Sequence, residues 1–213
     1  MKKQKTIYHL IVDKSGSMSD CIDNTINGFN EQVTKIKQLE SEFTEQVISI
    51  GLTTFNNVSN HHFFQETPAT VRLLNRETYC PSGGTALLDA VGQVCEKCER
   101  DVLNSAEKYD TTVVIVILTD GHENASRSFR LEEIRRTISR LEATGKWTFS
   151  FLGATLDAVD IAEGMNIKKH NSMFFNKNEM DTQVWGNLTD SMSSYLHKKR
   201  SGGDLDDLYN RKK

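Results

Sequence analysis

One stretch of this 213-residue chain, Thr112 to Thr119 (TVVIVILT), constrains the fold more than any other. Its residues between the two threonines are all apolar, whereas a strand with one face in water alternates apolar and polar residues. Such a run is typical of a central strand in a parallel sheet, which helices cover on both faces. Other strand-like runs and helical stripes alternate along the chain, so the sequence predicts an α/β domain.

Six strands and five helices are predicted from these patterns. The predicted strands span residues 5–12, 46–55, 58–65, 112–119, 147–153 and 171–175. The predicted helices span residues 20–39, 85–106, 131–141, 157–163 and 179–196. This order predicts a doubly wound, mostly parallel, Rossmann-like sheet with helices on both faces. The second and third strands form a hairpin, so one antiparallel edge strand is expected.

The length and charge of the chain limit its organisation and its partners. We place one domain at residues 1–197 and a charged, flexible tail at residues 198–213. The net charge of −3, with both signs mixed along the chain, argues against a nucleic-acid-binding protein that uses a broad basic face. The N-terminal apolar run is short for a secretory signal, and no run reaches the length of a membrane span. We therefore expect a cytoplasmic protein.

Four cysteines do not make a disulfide framework in a chain of this length. Cys95 and Cys98 form a C-x-x-C pair, but they fall on the apolar stripe of a predicted helix, together with Leu88 and Val91. We expect them to pack in the core as small apolar side chains. A zinc or redox site is the alternative.

Two predicted strands lead directly into an aspartate, the first into Asp13 and the central one into Asp120. Ser15 and Ser17 follow Asp13, and Thr85 opens a helix after a glycine pair. Ligands of doubly wound sheets bind at the carboxyl ends of the strands, so these three segments should converge there. Each segment taken alone is also typical of ordinary turn or helix-cap chemistry.

Oxygen atoms are the ligands that Mg²⁺ prefers, and these residues supply them. Ser15 and Ser17 lie two residues apart, so both hydroxyls can face one point, and Thr85 can add a third. Asp13 and Asp120 can hold metal-bound water or bind the ion directly. Neutral hydroxyl ligands quench little of the charge of the ion, which can therefore accept a carboxylate from a partner.

The motifs DKSGSM, SGGTAL and ILTDG resemble three motifs of von Willebrand factor A domains. In that family they form the metal-ion-dependent adhesion site, whose five positions are filled here by Asp13, Ser15, Ser17, Thr85 and Asp120. The segments TDGHENAS and GKWTFSFLGATLDA are similar to compact, stand-alone bacterial or phage members.

This resemblance implies a bound Mg²⁺ or Mn²⁺, with Ca²⁺ as a further option, held by the three hydroxyls. It implies a protein partner that supplies an Asp or Glu carboxylate, and no catalysis. In larger relatives, metal engagement is coupled to a shift of the last helix, which is predicted here at residues 179–196. His122 and Glu123 either line the rim of the site or are solvated loop residues.

A metal-assisted phosphatase or hydrolase is the alternative function of the same site. An aspartyl phosphatase needs a second acid two residues after its nucleophile, and that position is Ser15. The sequence contains neither the G-x-S-x-G motif of serine hydrolases nor a G-x-x-x-x-G-K-[ST] phosphate loop. A scaffold that needs no metal is a third possibility.

Overall fold

The computed structural model describes residues 2–121, 123–154, 158–177 and 184–209. The strands are β1 (Lys3–Asp13), β2 (Gln46–Phe55), β3 (Ser59–Glu66), β4 (Tyr109–Thr119), β5 (Trp147–Gly153) and β6 (Ser172–Phe174). The helices are α1 (Ile22–Glu42), α2 (Leu87–Asn104), α3 (Leu131–Glu142), α4 (Ala158–Gly164) and α5 (Gly186–Ser201). These six strands form one sheet with the order β3-β2-β1-β4-β5-β6, and of the strand pairs in the described residues only β2–β3 is antiparallel. The predicted fold class is confirmed.

Helices cover both faces of the sheet, which explains the uninterrupted apolar run of β4. Val114 and Val116 pack with α1 and α5 on one face. Val113 and Ile115 pack with α2 and α3 on the other. Each such side chain contributes about 1.5–3 kcal/mol on full burial, so neither face of β4 tolerates polar residues.

Cys95 and Cys98 lie in the second of these two cores and form no disulfide. Burial raises the pKa of the Cys95 thiol and raises that of Cys98 to about 12. Both thiols therefore remain protonated at neutral pH and act as packing groups. The predicted core role is confirmed.

The winding direction of the sheet changes at β1, which lies between β2 and β4. The parallel register sets Asp13 beside Phe55 of β2 and sets Val12 beside Leu118 of β4. The carboxyl ends of β1 and β4 are therefore neighbours, and the segments that follow them leave the sheet side by side at the carboxyl ends of the strands. A ligand site is expected at this topological switch point.

The described part of the last helix begins with a π-helical turn. This turn, at Val184 and Trp185, precedes α5, and the first part of the predicted helix, residues 179–183, lies outside the described residues. Gln32 fixes this start, because its amide donates a 2.6 Å hydrogen bond to the Trp185 carbonyl. In the ranges given above, no helix has the length and apolarity needed to cross a bilayer.

The C-terminal segment corrects the expectation of a flexible tail from residue 198. Helix α5 continues to Ser201, and residues after it form hydrogen bonds with β5. Thr148 donates a hydrogen bond of 2.9 Å to the Leu205 carbonyl, and Leu208 is only 1% exposed. Residues 198–209 are thus part of the packed domain, because apolar side chains among the charges anchor them. Residues 210–213 lie outside the described residues.

Candidate metal centre

Asp13 ends β1 and is completely buried. Its Oδ1 accepts a 2.6 Å hydrogen bond from the Ser15 N–H, and its Oδ2 accepts one of 2.6 Å from the Thr119 hydroxyl. Burial raises the pKa of Asp13, and the nearby carboxylate of Asp120 adds to this, while the two hydrogen bonds oppose it. The carboxylate is thus held rigidly, with both oxygens already engaged.

The two predicted serines lie beside Asp120. Ser15 Oγ and Ser17 Oγ are 3.1 Å apart, and the Ser17 hydroxyl donates a 2.7 Å hydrogen bond to Asp120 Oδ1. Between them, the Gly16 N–H donates to the Gly83 carbonyl at 3.0 Å. This bond joins the serine turn to the loop that precedes Thr85.

Thr85 faces the same point as Ser17 and Asp13. A β-carbon placed on Gly121 would lie 3.2 Å from Thr85 Oγ1, 3.6 Å from Ser17 Oγ and 4.0 Å from Asp13 Oδ2. Oxygens from three separate segments therefore surround one small space beside Gly121. The structure brings all five predicted site residues together at the end of the sheet.

Three asparagines that sequence reasoning did not assign to the site hold the Thr85 loop in place. Asn57 Oδ1 accepts a hydrogen bond from the Gly84 N–H, and Asn124 Oδ1 accepts one from the Thr85 N–H, both of 2.9 Å. The carbonyl of Asn56 accepts from the Ala86 N–H at 2.7 Å. Their signal in sequence was only turn propensity next to strand ends.

Glu123 is half-buried, and its carboxylate has a capping role that neither expectation included. Its carboxylate accepts hydrogen bonds from the Leu88 N–H (3.0 Å), at the start of α2, and from the Ser126 N–H (2.7 Å). In return, Asp89 of α2 accepts from the N–H groups of residues 127, 128 and 129. The loop after Asp120 and the first turn of α2 therefore cap each other. His122 lies outside the described residues.

Lys177, which the sequence analysis also did not single out, reaches into the site from the segment after β6. Its ammonium contacts Asp120 Oδ2, and it donates to the Ser17 carbonyl at 2.7 Å and to Asp20 Oδ1 at 3.0 Å. Burial lowers the pKa of Lys177, but Asp120 and Asp20 outweigh this effect and raise it above its ordinary value. The lysine is therefore charged where it meets Asp120.

The donor chemistry of the centre suits a hard cation. In the described part of the chain, no cluster of three or more His, Cys, Asp or Glu side chains could hold a metal. The oxygens around Gly121 are two hydroxyls and one carboxylate, with Ser15 and Asp120 adjoining. Mg²⁺, Mn²⁺ and Ca²⁺ prefer oxygen ligands, so these residues fit such an ion.

The sequence matches the von Willebrand factor type A domain over residues 9–190, a range that includes all five site residues. The chain belongs to this family. Among curated proteins, none matches the sequence significantly.

Solved structures of several von Willebrand factor A proteins share the fold. One is the ArnB paralog VWA2 of Sulfolobus acidocaldarius, with a TM-score of 0.57, 15% identity and coverage of 88% of this chain and 45% of that one. The manganese-loaded TRAP protein of Plasmodium vivax has a TM-score of 0.53 and 15% identity, and the match covers 87% of this chain and 74% of that one. Proximal thread matrix protein 1 of the mussel byssus, with zinc in its MIDAS motif, has a TM-score of 0.56 and 12% identity. The match covers 90% of this chain and 46% of that one. This chain thus spans less than half of two of these relatives.

Proposed function

We propose that this von Willebrand factor A domain binds a divalent cation through the hydroxyls of Ser15, Ser17 and Thr85 and offers it to a carboxylate of a partner protein. The convergence of oxygens from three segments beside Gly121 carries this proposal. Mg²⁺ is the first candidate, and Mn²⁺ or Ca²⁺ is the alternative. The manganese-loaded and zinc-occupied relatives support a divalent ion in this fold.

In this proposal the two aspartates support the site from behind. Asp120 orients the Ser17 hydroxyl, and Asp13 fixes the serine turn through the Ser15 N–H. Their negative charges lower the cost of placing a dication among buried groups. When bound, the ion supplies an electrophilic position for one oxygen of an Asp or Glu from the partner.

The geometry favours binding over phosphoryl transfer. Both oxygens of Asp13 already accept hydrogen bonds, which lowers the nucleophilicity of this carboxylate towards a phosphoryl group. Ser15 occupies the place of the second acid that an aspartyl phosphatase uses. We therefore propose an interaction module without enzymatic activity. Magnesium-dependent turnover of phosphate esters that Asp120→Ala abolishes would contradict this proposal.

The metal part is tested by calorimetric titration of Mg²⁺ and Mn²⁺ into the wild type and two serine variants. Ser17→Ala removes a proposed ligand. Ser19→Ala is the matched control, because the Ser19 hydroxyl donates to the Gly16 carbonyl at 2.7 Å and takes no part in the convergence at Gly121. We expect binding to be lost in Ser17→Ala and kept in Ser19→Ala; equal affinities would remove the ligand assignment.

The partner part is tested by protein capture in Mg²⁺ and in EDTA, followed by mass spectrometry. A partner held through its carboxylate should bind only in Mg²⁺ and should be lost with Asp13→Ala. Its binding should also weaken when its own Asp or Glu is changed to the amide. Identical capture in both buffers would contradict the proposal.

We also propose a cytoplasmic setting in a bacterium or its phage. All four cysteines are free, and Cys80 is exposed. Free exposed thiols persist most readily in a reducing compartment. Fractionation of the native cells with an antibody to this chain tests the compartment.

A further inference from the structure

Lys177 occupies a position that the five site residues do not explain. Its backbone is held against α1, where Asn24 donates to its carbonyl at 3.3 Å. From there its side chain, which is 25% exposed, reaches the fully buried carboxylate of Asp120. The Ser17 carbonyl and the Asp20 carboxylate complete the surroundings of the ammonium.

One carboxylate is shared by two different groups at this point. Asp120 Oδ1 accepts from the Ser17 hydroxyl, and Asp120 Oδ2 contacts the Lys177 ammonium. Ser17 takes part on both sides, because its carbonyl also accepts from Lys177. The ammonium therefore lies immediately beside the hydroxyl that we assign to the metal.

The charge of Lys177 has a clear physical role before any metal arrives. Asp13 and Asp120 are two buried acids at the adjacent carboxyl ends of β1 and β4, and buried charges need a counter-charge. Lys177 supplies it to Asp120. A dication at the adjoining hydroxyls would supply the same compensation, and the two cations would repel each other at short range.

We propose that Lys177 is an internal cation that competes with the divalent metal for Asp120 and thereby weakens metal binding. This inference rests on the proposed metal-binding function. Metal uptake becomes an exchange in which the ammonium gives up Asp120 and keeps Asp20, which is exposed. The residue sets the affinity of the site, while the hydroxyls set its preference for hard ions.

The test is calorimetric titration of MgCl₂ and MnCl₂ into the full chain carrying single lysine substitutions. Lys177→Met removes the ammonium and keeps the length of the side chain. Lys177→Arg keeps the charge. Lys146→Met is the matched control for loss of one positive charge, because Lys146 pairs with Asp110 at 2.7 Å at the amino-terminal ends of β4 and β5, away from the site at the carboxyl ends.

We expect Lys177→Met to bind both ions at least tenfold more tightly than the wild type. Lys177→Arg should bind no more tightly than the wild type, and Lys146→Met should match it within about threefold. Thermal melting gives a second readout. In EDTA, Lys177→Met should melt below the wild type, because Asp120 has lost its counter-charge, and Mg²⁺ should raise its Tm by more than it raises that of the wild type.

The outcomes separate this inference from the proposed function. Equal or weaker binding by Lys177→Met, with metal bound by the wild type, overturns the role of Lys177 and leaves the metal site standing. Binding by Lys177→Met alone supports competition and shows that the wild type excludes metal. Absence of binding in both proteins, with the folded state verified by circular dichroism, overturns both.

Discussion

The imidazole of His9 fills the space that any side chain at position 51 would need. His9 and Gly51 are directly paired on β1 and β2, and a β-carbon on Gly51 would lie 2.0 Å from His9 Nδ1. The ring is completely buried, donates to or accepts from the Thr53 hydroxyl at 2.9 Å, and lies 4.8 Å from the Phe64 ring. Gly51 is thus required by its neighbour and not by its own backbone.

Gly51→Ala should destabilise the protein by about 1–3 kcal/mol, because the added methyl group forces His9 out of its position. Gly186→Ala is the control, since no atom of the described residues lies within 4 Å of a β-carbon there and the residue starts α5. This control should leave stability unchanged or raise it by up to about 1 kcal/mol. Urea unfolding followed by circular dichroism measures both; equal stability of Gly51→Ala and the wild type would contradict the packing.

His9 should make the protein acid-sensitive. Burial, followed by the charge of His61, lowers its pKa from 6.5 to about 3. The folded protein therefore keeps a neutral ring while the unfolded chain takes up a proton below pH 6.5, so stability is lost as the pH falls from 6.5 to 3. The loss is on the order of 5 kcal/mol. Urea unfolding at several pH values should give His9→Gln a shallower slope over this range; parallel slopes would refute the assignment.

Lys199 should act in the opposite pH range. Its buried ammonium donates to three neutral acceptors, the Lys5 carbonyl and the hydroxyls of Thr6 and Thr112. Burial lowers its pKa from 10.5 to about 8. From pH 8 to 10.5 the unfolded chain holds this proton and the folded one releases it, so stability rises with pH, by roughly 3 kcal/mol. Subtracting the curve of Lys199→Met should isolate this rise, and a flat difference would disprove it.

Asn124 should support metal binding without contacting the ion. Asn124→Ala removes the acceptor of the Thr85 N–H and frees the threonine loop, so the affinity for Mg²⁺ should fall roughly tenfold, as expected for a lost hydrogen bond. Asn30→Ala is the matched control, because Asn30 Oδ1 accepts from the Leu74 N–H at the same distance, 2.9 Å. Both variants should lose about 1 kcal/mol of stability. Calorimetry should show weaker binding only in Asn124→Ala.

Leu208 tests whether the C-terminal segment belongs to the domain. Leu208→Ala should cost about 2–4 kcal/mol, because the side chain is 1% exposed within the core. Leu103→Ala is the control, since Leu103 is 68% exposed on α2, and it should change stability by less than about 0.5 kcal/mol. Similar effects of the two substitutions in urea unfolding would restore the idea of a flexible tail.

The sheet and the convergence of the site could be predicted because both depend on local patterns. The apolar run of β4 requires helices on both faces of the sheet, and parallel strands place their carboxyl ends at the same end of the sheet. Asp13, Ser15 and Ser17 are close in sequence, so their spacing alone indicated a shared point. The positions of Asp120 and Thr85 relative to these residues depended on the topology of the sheet.

The residues that were missed act through contacts between distant segments. Lys177 meets Asp120 from beyond β6, and a lone lysine in a polar stretch gives no periodic signal. Leu208 lies among charges without helical or strand spacing, so its burial could not be read from a pattern. Glu123 faces the start of α2 because of a loop conformation that adjacency to Asp120 did not reveal.

The mutual capping of the loop after Asp120 and the first turn of α2 has a consequence for recognition. Glu123 and Asp89 satisfy backbone N–H groups across the two segments, so neither can swing away without exposing several unpaired groups. At these two segments, the proposed partner would therefore meet a surface that is already shaped, and little conformational entropy of the segments would be lost on association. We expect complexes of this protein to form by rigid docking, with a rate governed by encounter and not by loop closure.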